Sequence, residues 1–315
     1  MAKKFHPLDL SKVKTYSLAD RKSKVKAEEF SRIWQKGSSF RVFLDSLPDI
    51  LAGHDLREVI STICAAYVDH RTVIFGMGAH VIKVGLNPII IDLMERGIIT
   101  SIAMNGAGII HDTELAMIGQ TSEDVAAALG DGSFGMARET CAFLGQATKN
   151  INKNKIGLGE AVGRAIIDEK LPMLDQSILA AGVRLGIPVT VHVAIGTDII
   201  HMHPGFDPQK TGAATHRDFR QFSSIVTTLE KGVYLNVGSA VILPEIFLKA
   251  TTLARNLGYS LNEFTTVNLD FIKHYRPLTN VIARPTSKGG KGISIVGHHE
   301  LLLPLIAAGV IEQLE

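Results

Sequence analysis

From residue 51 onward the chain alternates between two hydrophobic rhythms. Residues 51–67 space their apolar side chains three and four apart, as one face of a helix requires. Residues 72–80 (TVIFGMGAH) form a short β-branched and aromatic run closing on Gly76 and Gly78, which predicts a buried strand and a tight loop. The alternation then repeats. Residues 84–98 predict a helix with Pro88 near its start, where a missing N–H is harmless, and Gly97 as its stop. A second strand over 100–105 is expected to end in the turn Asn105-Gly106-Ala107-Gly108. Helices over 122–129, 136–149, 159–169 and 176–186 lead to a strand over 187–198 that ends near Gly196. A helix over 219–231 precedes the strand 232–241, and a helix over 243–258 precedes the strand 264–271. A short strand over 280–285, another from Ile293 and an apolar stretch over 301–311 complete the pattern.

Strands separated by helices of this length imply right-handed crossovers and a parallel sheet covered on both faces, an α/β fold. Residues 1–50 are expected to form a basic arm and a helical extension, with Phe30, Ile33, Trp34, Phe40, Val42, Phe43 and Leu47 marking amphipathic helices. Residues 51–315 read as one nucleotide-binding catalytic domain, because no linker or change of composition divides them.

Composition narrows the function classes. With 315 residues, 46% apolar and 20% charged, the chain can bury a full core. A net charge of +2 gives no overall attraction to nucleic acid, and the excess over Lys3, Lys4, Lys12, Lys14, Arg21, Lys22, Lys24 and Lys26 reads as a solvated arm. Cys64 and Cys141 share no metal-type spacing and read as buried thiols, consistent with a reducing compartment. The first 30 residues contain no apolar signal segment, and no window approaches the roughly 18 apolar residues of a membrane span. The expectation is a cytoplasmic protein with no membrane or nucleic-acid partner.

Candidate chemistry lies at the strand ends. Ligands of parallel sheets collect beyond the carboxyl ends of the strands, and glycine there lets a ligand approach the backbone. Gly76, Gly78 and His80, then Asn105, Gly106 and Gly108, then Asp198, then Gly238 and Ser239 are the expected cofactor-binding positions, with Asp112 just downstream. No dinucleotide fingerprint G-x-G-x-x-G, Walker A motif or G-x-S-x-G elbow occurs. His111 follows the second turn as a candidate proton carrier. His201 and His203 alternate, so an extended backbone would point both the same way, and with Asp198 they define an alternative reading as a metal-dependent hydrolase. Lys288 and Lys291 lie among glycines and read either as a solvated loop or as an amine closing over the site. His298, His299 and Glu300 read as a surface cap before the last helix.

The stretch 75–85 (FGMGAHVIKVG), residues 92–97 (DLMERG) and Asn105-Gly106-Ala107-Gly108 resemble the nucleotide-binding core of the deoxyhypusine synthase family. Gly196-Thr197-Asp198, Gly238-Ser239 and Ala283-Arg284-Pro285 follow in the family's order, and the resemblance covers roughly residues 70–295. The family's Thr-Ser-Asn is replaced by Gly78, Ala79 and His80, and the tryptophan before its catalytic lysine is absent. The resemblance implies a Rossmann-like fold, bound NAD, a homotetramer and chemistry on an amine or polyamine through a lysine imine, with a protein lysine as the family's acceptor. On that reading Lys291, with Lys288 as substitute, supplies the amine. His111 moves protons, Asp198 and Glu245 bind a substrate ammonium, and the glycine corners cradle NAD. A nucleotide-binding regulatory module without redox chemistry is the other reading of the same fold.

Overall fold

A computed structural model describes residues 3–149, 151 and 155–314. Ten helices of seven or more residues are named here, interleaved with six strands. They are α1 (Phe40–Ser46), α2 (Leu51–Val68), β1 (Val73–Met77), α3 (Asn87–Glu95), β2 (Ser101–Asn105), α4 (Gly106–Ile118), α5 (Arg138–Ala147) and α6 (Leu158–Asp168). Then follow α7 (Ile178–Leu185), β3 (Val189–His192), α8 (Pro208–Val226), β4 (Val233–Val237), α9 (Ile242–Asn256), β5 (Thr265–Asp270), β6 (Lys291–Val296) and α10 (His299–Leu314).

The strands form one parallel sheet in the order β3-β2-β1-β4-β5-β6, with Phe75 opposite Ile102 on one side and Leu235 on the other. The period of two divides each strand between two cores. Val73, Phe75 and Met77 join Ile102, Leu235, Val267 and Ile293 in the larger core, under α2, α3, α4, α7 and α10. Ile74, Ala103 and Tyr234 face the other side, where Phe222 of α8 and Phe247 of α9 cover them. Tyr234 stacks on Phe247 with ring centroids 3.8 Å apart. Gly76 lies in β1 rather than at its end, and a Cβ there would sit 2.6 Å from the Tyr234 hydroxyl. Gly76 is therefore a packing residue for that ring, and not a ligand contact.

Several expected boundaries move. The Asn105–Gly108 turn is the first turn of α4, because the Asn105 side chain caps the helix by accepting from Gly108 N at 3.1 Å. Helix α8 begins at Pro208, eleven residues before the expected start, with Asp207 capping Lys210 N at 2.9 Å. Residues 280–285 are not a strand: Leu278–Ala283 is a helical turn. Phe30, Ile33 and Trp34 are not helical, and residues 3–38 are irregular, with two 3-10 turns, Leu18–Asp20 and Ala27–Glu29, and hydrogen-bonded turns closed by Leu10–Val13 and Gln35–Ser38.

Buried carboxylates hold the β3 side together. Asp218 of α8 accepts from Leu158 N, Gly159 N and Val191 N at 2.9, 3.1 and 2.9 Å, joining α6 and β3. Asp112 accepts from Asn87 Nδ2, Ser177 Oγ, Ile178 N and Leu179 N, which caps α7. Asp112 is fully buried, with both oxygens engaged, so it is a structural cap rather than a cofactor contact. Among the described residues, no helix is long and apolar enough to cross a membrane.

Candidate functional site

The strand order reverses between β1 and β4, since the chain runs outward through β2 and β3 before returning to place β4 on the other side of β1. Crevices at such switch points, beyond the carboxyl ends of the strands, are where open parallel sheets bind ligands. Gly78 follows β1 and Gly238 follows β4. Gly78 N donates to Val237 O at 2.9 Å, and a Cβ on Gly78 would come within 2.2 Å of Gly238 O. Gly238 adopts φ +65°, and a Cβ there would meet the His299 ring at 2.8 Å. Only glycine fits this double constraint without moving backbone or ring.

Three rings surround this corner. His80 lies 5.7 Å from His299 and 6.1 Å from Phe271, between ring centroids. His299 is buried, not a surface cap, and its Nε2 is 3.1 Å from Leu269 O. A carbonyl only accepts, so Nε2 carries a proton, while Nδ1 is buried without a hydrogen-bond partner. Burial, the neighbouring His299 and Lys83 hold the His80 pKa below its ordinary value, so His80 is neutral near pH 7. Phe271, at 49% exposure, offers its ring to solvent on the same rim.

The β2–β3 side of the rim carries a carboxylate. Asp198 sits against the first turn of α4 so closely that a Cβ on Gly106 would lie 1.9 Å from its Oδ2. Burial pushes the Asp198 carboxyl up to about 6, against a hydrogen bond from Thr197, which leaves it largely ionised at pH 7. His201 Nδ1 accepts from Gly196 N and Asp198 N at 3.1 and 3.2 Å, so the neutral ring is protonated at Nε2. That Nε2 is 3.9 Å from Asp198 Oδ2, and both atoms are buried without a hydrogen-bond partner.

The remaining expected residues divide. Gly108 is buried against Met104, and its N–H is taken by Asn105. Ser239 points into α9, accepting from Leu243 N at 3.1 Å, so its hydroxyl is a helix cap. His111 Nδ1 lies 2.7 Å from Thr121 Oγ1, which donates to Glu114, so His111 belongs to a polar network inside α4. Glu245 is engaged by Lys249, Asn280 and Arg276. Lys291 opens β6, at the amino rim of the sheet, and pairs there with Glu58. Lys288 lies just before it, and six residues of strand put about 20 Å between that rim and the glycine corners. Neither lysine reaches the crevice of its own chain, whereas Lys83 lies in the turn that starts at His80 and its charge acts on that ring. Sequence reasoning passed over Lys83, Phe271 and the burial of His299. Position just after β1, β5 and β6 was the available signal.

His201 and His203 do not form a ligand pair. They lie on and after a 3-10 turn (Ile199–Met202), not an extended strand, and His203 Nε2 is 2.8 Å from Gly135 O. Among the described residues no three His, Cys, Asp or Glu side chains converge as metal ligands. A groove of about 610 Å³ between α1, α2 and α10, bordered by Lys291, lies at the amino rim. The switch point is the stronger candidate because close-packed glycines and buried titratable groups meet there.

Neither a family model nor a curated protein sequence matches the chain. Solved structures do. ArgZ, an arginine dihydrolase from the ornithine-ammonia cycle in cyanobacteria, matches at a TM-score of 0.54 and 13% identity, over 82% of this chain and 33% of that chain. AgrE, in a ternary complex with ornithine and NAD+, matches at 0.54 and 14% identity, over 90% of this chain and 35% of that chain. A provisionally assigned deoxyhypusine synthase from Entamoeba histolytica matches at 0.50 and 11% identity, over 90% of this chain and 96% of that chain. The chain thus spans about a third of the length of ArgZ and AgrE. These likenesses establish the fold: a Rossmann-like parallel sheet of the kind found in the deoxyhypusine synthase-like protein and in ArgZ and AgrE.

Proposed function

We propose that this chain is an enzyme that binds NAD across the β1–β4 switch point and acts on a small amine or amino-acid-derived substrate held by Asp198. The observation that carries the reading is the contact of Gly78 with Gly238 O at the switch point, with a buried, partner-free carboxylate oxygen on the same rim. Asp198 occupies the positive end of α4 and would repel phosphate there, so the dinucleotide's phosphates belong over the turn at Gly78 and Ala79, beside Lys83. The His80 ring, neutral near pH 7, and the His299 ring flank that position. An ammonium substrate would pair with the charge of the Asp198 carboxylate. AgrE, of similar fold, was crystallised with ornithine and NAD+, which supports the pairing of cofactor and substrate class. A lysine imine formed by Lys288 or Lys291 of the same chain is left out of this reading because of their rim.

Thermal shift against NAD is the test. A ligand at 100 times its dissociation constant adds about 2.7 kcal/mol, a rise of several degrees in Tm. Lys291→Ala should show the same rise, because its ion pair with Glu58 is exposed and far from the crevice. No shift with NAD in the unaltered protein contradicts the proposal, and retained binding without turnover of any amine would leave a regulatory module.

A further inference from the structure

We propose that residues 3–38 form an arm that docks on the 122–139 segment of a second copy of this chain. The arm is tied at its root by Arg32 N to Ser46 O and Asp49 N to Glu29 O, both 2.8 Å. Beyond that it displays large apolar side chains to solvent: Phe5 is 85%, Leu8 87%, Leu10 71% and Ile33 94% exposed. Tyr16, Leu18, Phe30 and Trp34 add to them. Solvated tails lack such residues, because without apolar side chains there is nothing to order them. Local caps also give the arm shape, with Ser17 accepting from Ala19 N and Glu29 from Lys26 N.

Charge and pattern identify the occupant. Residues 1–38 carry ten Lys and Arg against four Asp and Glu, net +6, while the rest of the chain carries 23 against 27, net −4. Within that rest, residues 122–139 expose Val125, Leu129 and Met136 beside Glu123, Asp124, Asp131 and Glu139, against the lone cation Arg138. An apolar, basic arm thus has an apolar, acidic counterpart on the same molecule. Exchange between two copies satisfies both surfaces at once, as a closed symmetric pair requires. Reach is ample: residues 3–28, ahead of the tie at Glu29, span roughly 90 Å when stretched, against a radius of gyration of roughly 19 Å for a body of this size. The landing segment borders the candidate site, since Gly135 O bonds His203 and Gly135 packs on Ile199.

The test is the mass in solution of the full chain by light scattering over a concentration series. The unaltered protein should associate, more tightly at low salt. The arm variant Leu8→Ser/Leu10→Ser/Ile33→Ser and the body variant Val125→Ser/Leu129→Ser should each weaken association by about tenfold or more, with unchanged circular dichroism. Combining the two should weaken it little further, because both remove one contact. A monomer at all concentrations overturns the proposal, as does association untouched by either variant. Arm-dependent binding to anionic vesicles or to nucleic acid by a monomeric chain overturns it as well.

Discussion

Replacing Asp218 by Ala is expected to destabilise the fold by about 3–5 kcal/mol, because a buried acceptor of several hydrogen bonds is lost and its donors are left dry. Three backbone N–H groups, of Leu158, Gly159 and Val191, end on one oxygen of this side chain. The chain also passes so close that a Cβ on Gly157 would lie 1.7 Å from the other oxygen. Nothing nearby can replace the acceptor without moving α6. In a chain of 315 residues the loss corresponds to a fall in Tm of roughly 5–8 °C. Asp218→Asn keeps an oxygen for the three donors and should cost far less. Burial pushes the Asp218 carboxyl up to about 7, with Glu160 adding to the rise and the three N–H groups opposing it. Its folded pKa exceeds the ordinary 3.8, so the folded state holds the proton between those values. The group's stabilisation is therefore present below pH 4 and is lost as pH rises through 7. Urea titrations should show a shallower decline over that window for the Asn variant. Equal stabilities of Asp218→Ala and the unaltered protein would show that the three bonds contribute nothing.

Asp198→Asn should abolish most turnover of an amine while leaving the fold and NAD binding in place. The substitution preserves shape, including the packing against Gly106, and removes only the charge. A hydrogen bond between charged groups contributes about 1.5–3 kcal/mol, so substrate affinity should fall by about 10- to 150-fold. The charge is present above pH 6, where the carboxyl titrates, so amine binding by the unaltered protein should weaken as pH falls through that value. The variant should show no such step. Amine affinity unchanged by Asp198→Asn would remove this carboxylate from the site.

Much of the architecture was written in local pattern. The short β-branched and aromatic runs at 73–77, 101–105 and 233–237 are strands of the sheet, since runs of Val, Ile, Leu and aromatic residues with glycine stops suit a sheet covered on both faces. Residues 280–285 misled because Val281 and Ile282 are apolar, yet only two such residues pack inward from a helical turn. Glycine was the ambiguous letter. Gly78 and Gly238 make the switch-point corner, but Gly76 serves Tyr234 and Gly108 serves Met104. Only the neighbour across space tells these apart. The lysines were misplaced for a reason the order of elements already contained. A loop that precedes a parallel strand lies at the amino rim, whereas His299, which follows β6, lies at the ligand rim. Asp218 had no local signal at all, because its partners are 27 to 60 residues away.

A crystal structure of the protein soaked with NAD tests the central assignment most directly. The account predicts dinucleotide density lying across the Gly78–Gly238 corner, with phosphates over the turn at Ala79 and the Asp198 side left open for substrate. Density in the groove beside Lys291 and Glu58, or none at the corner at saturating NAD, would contradict it.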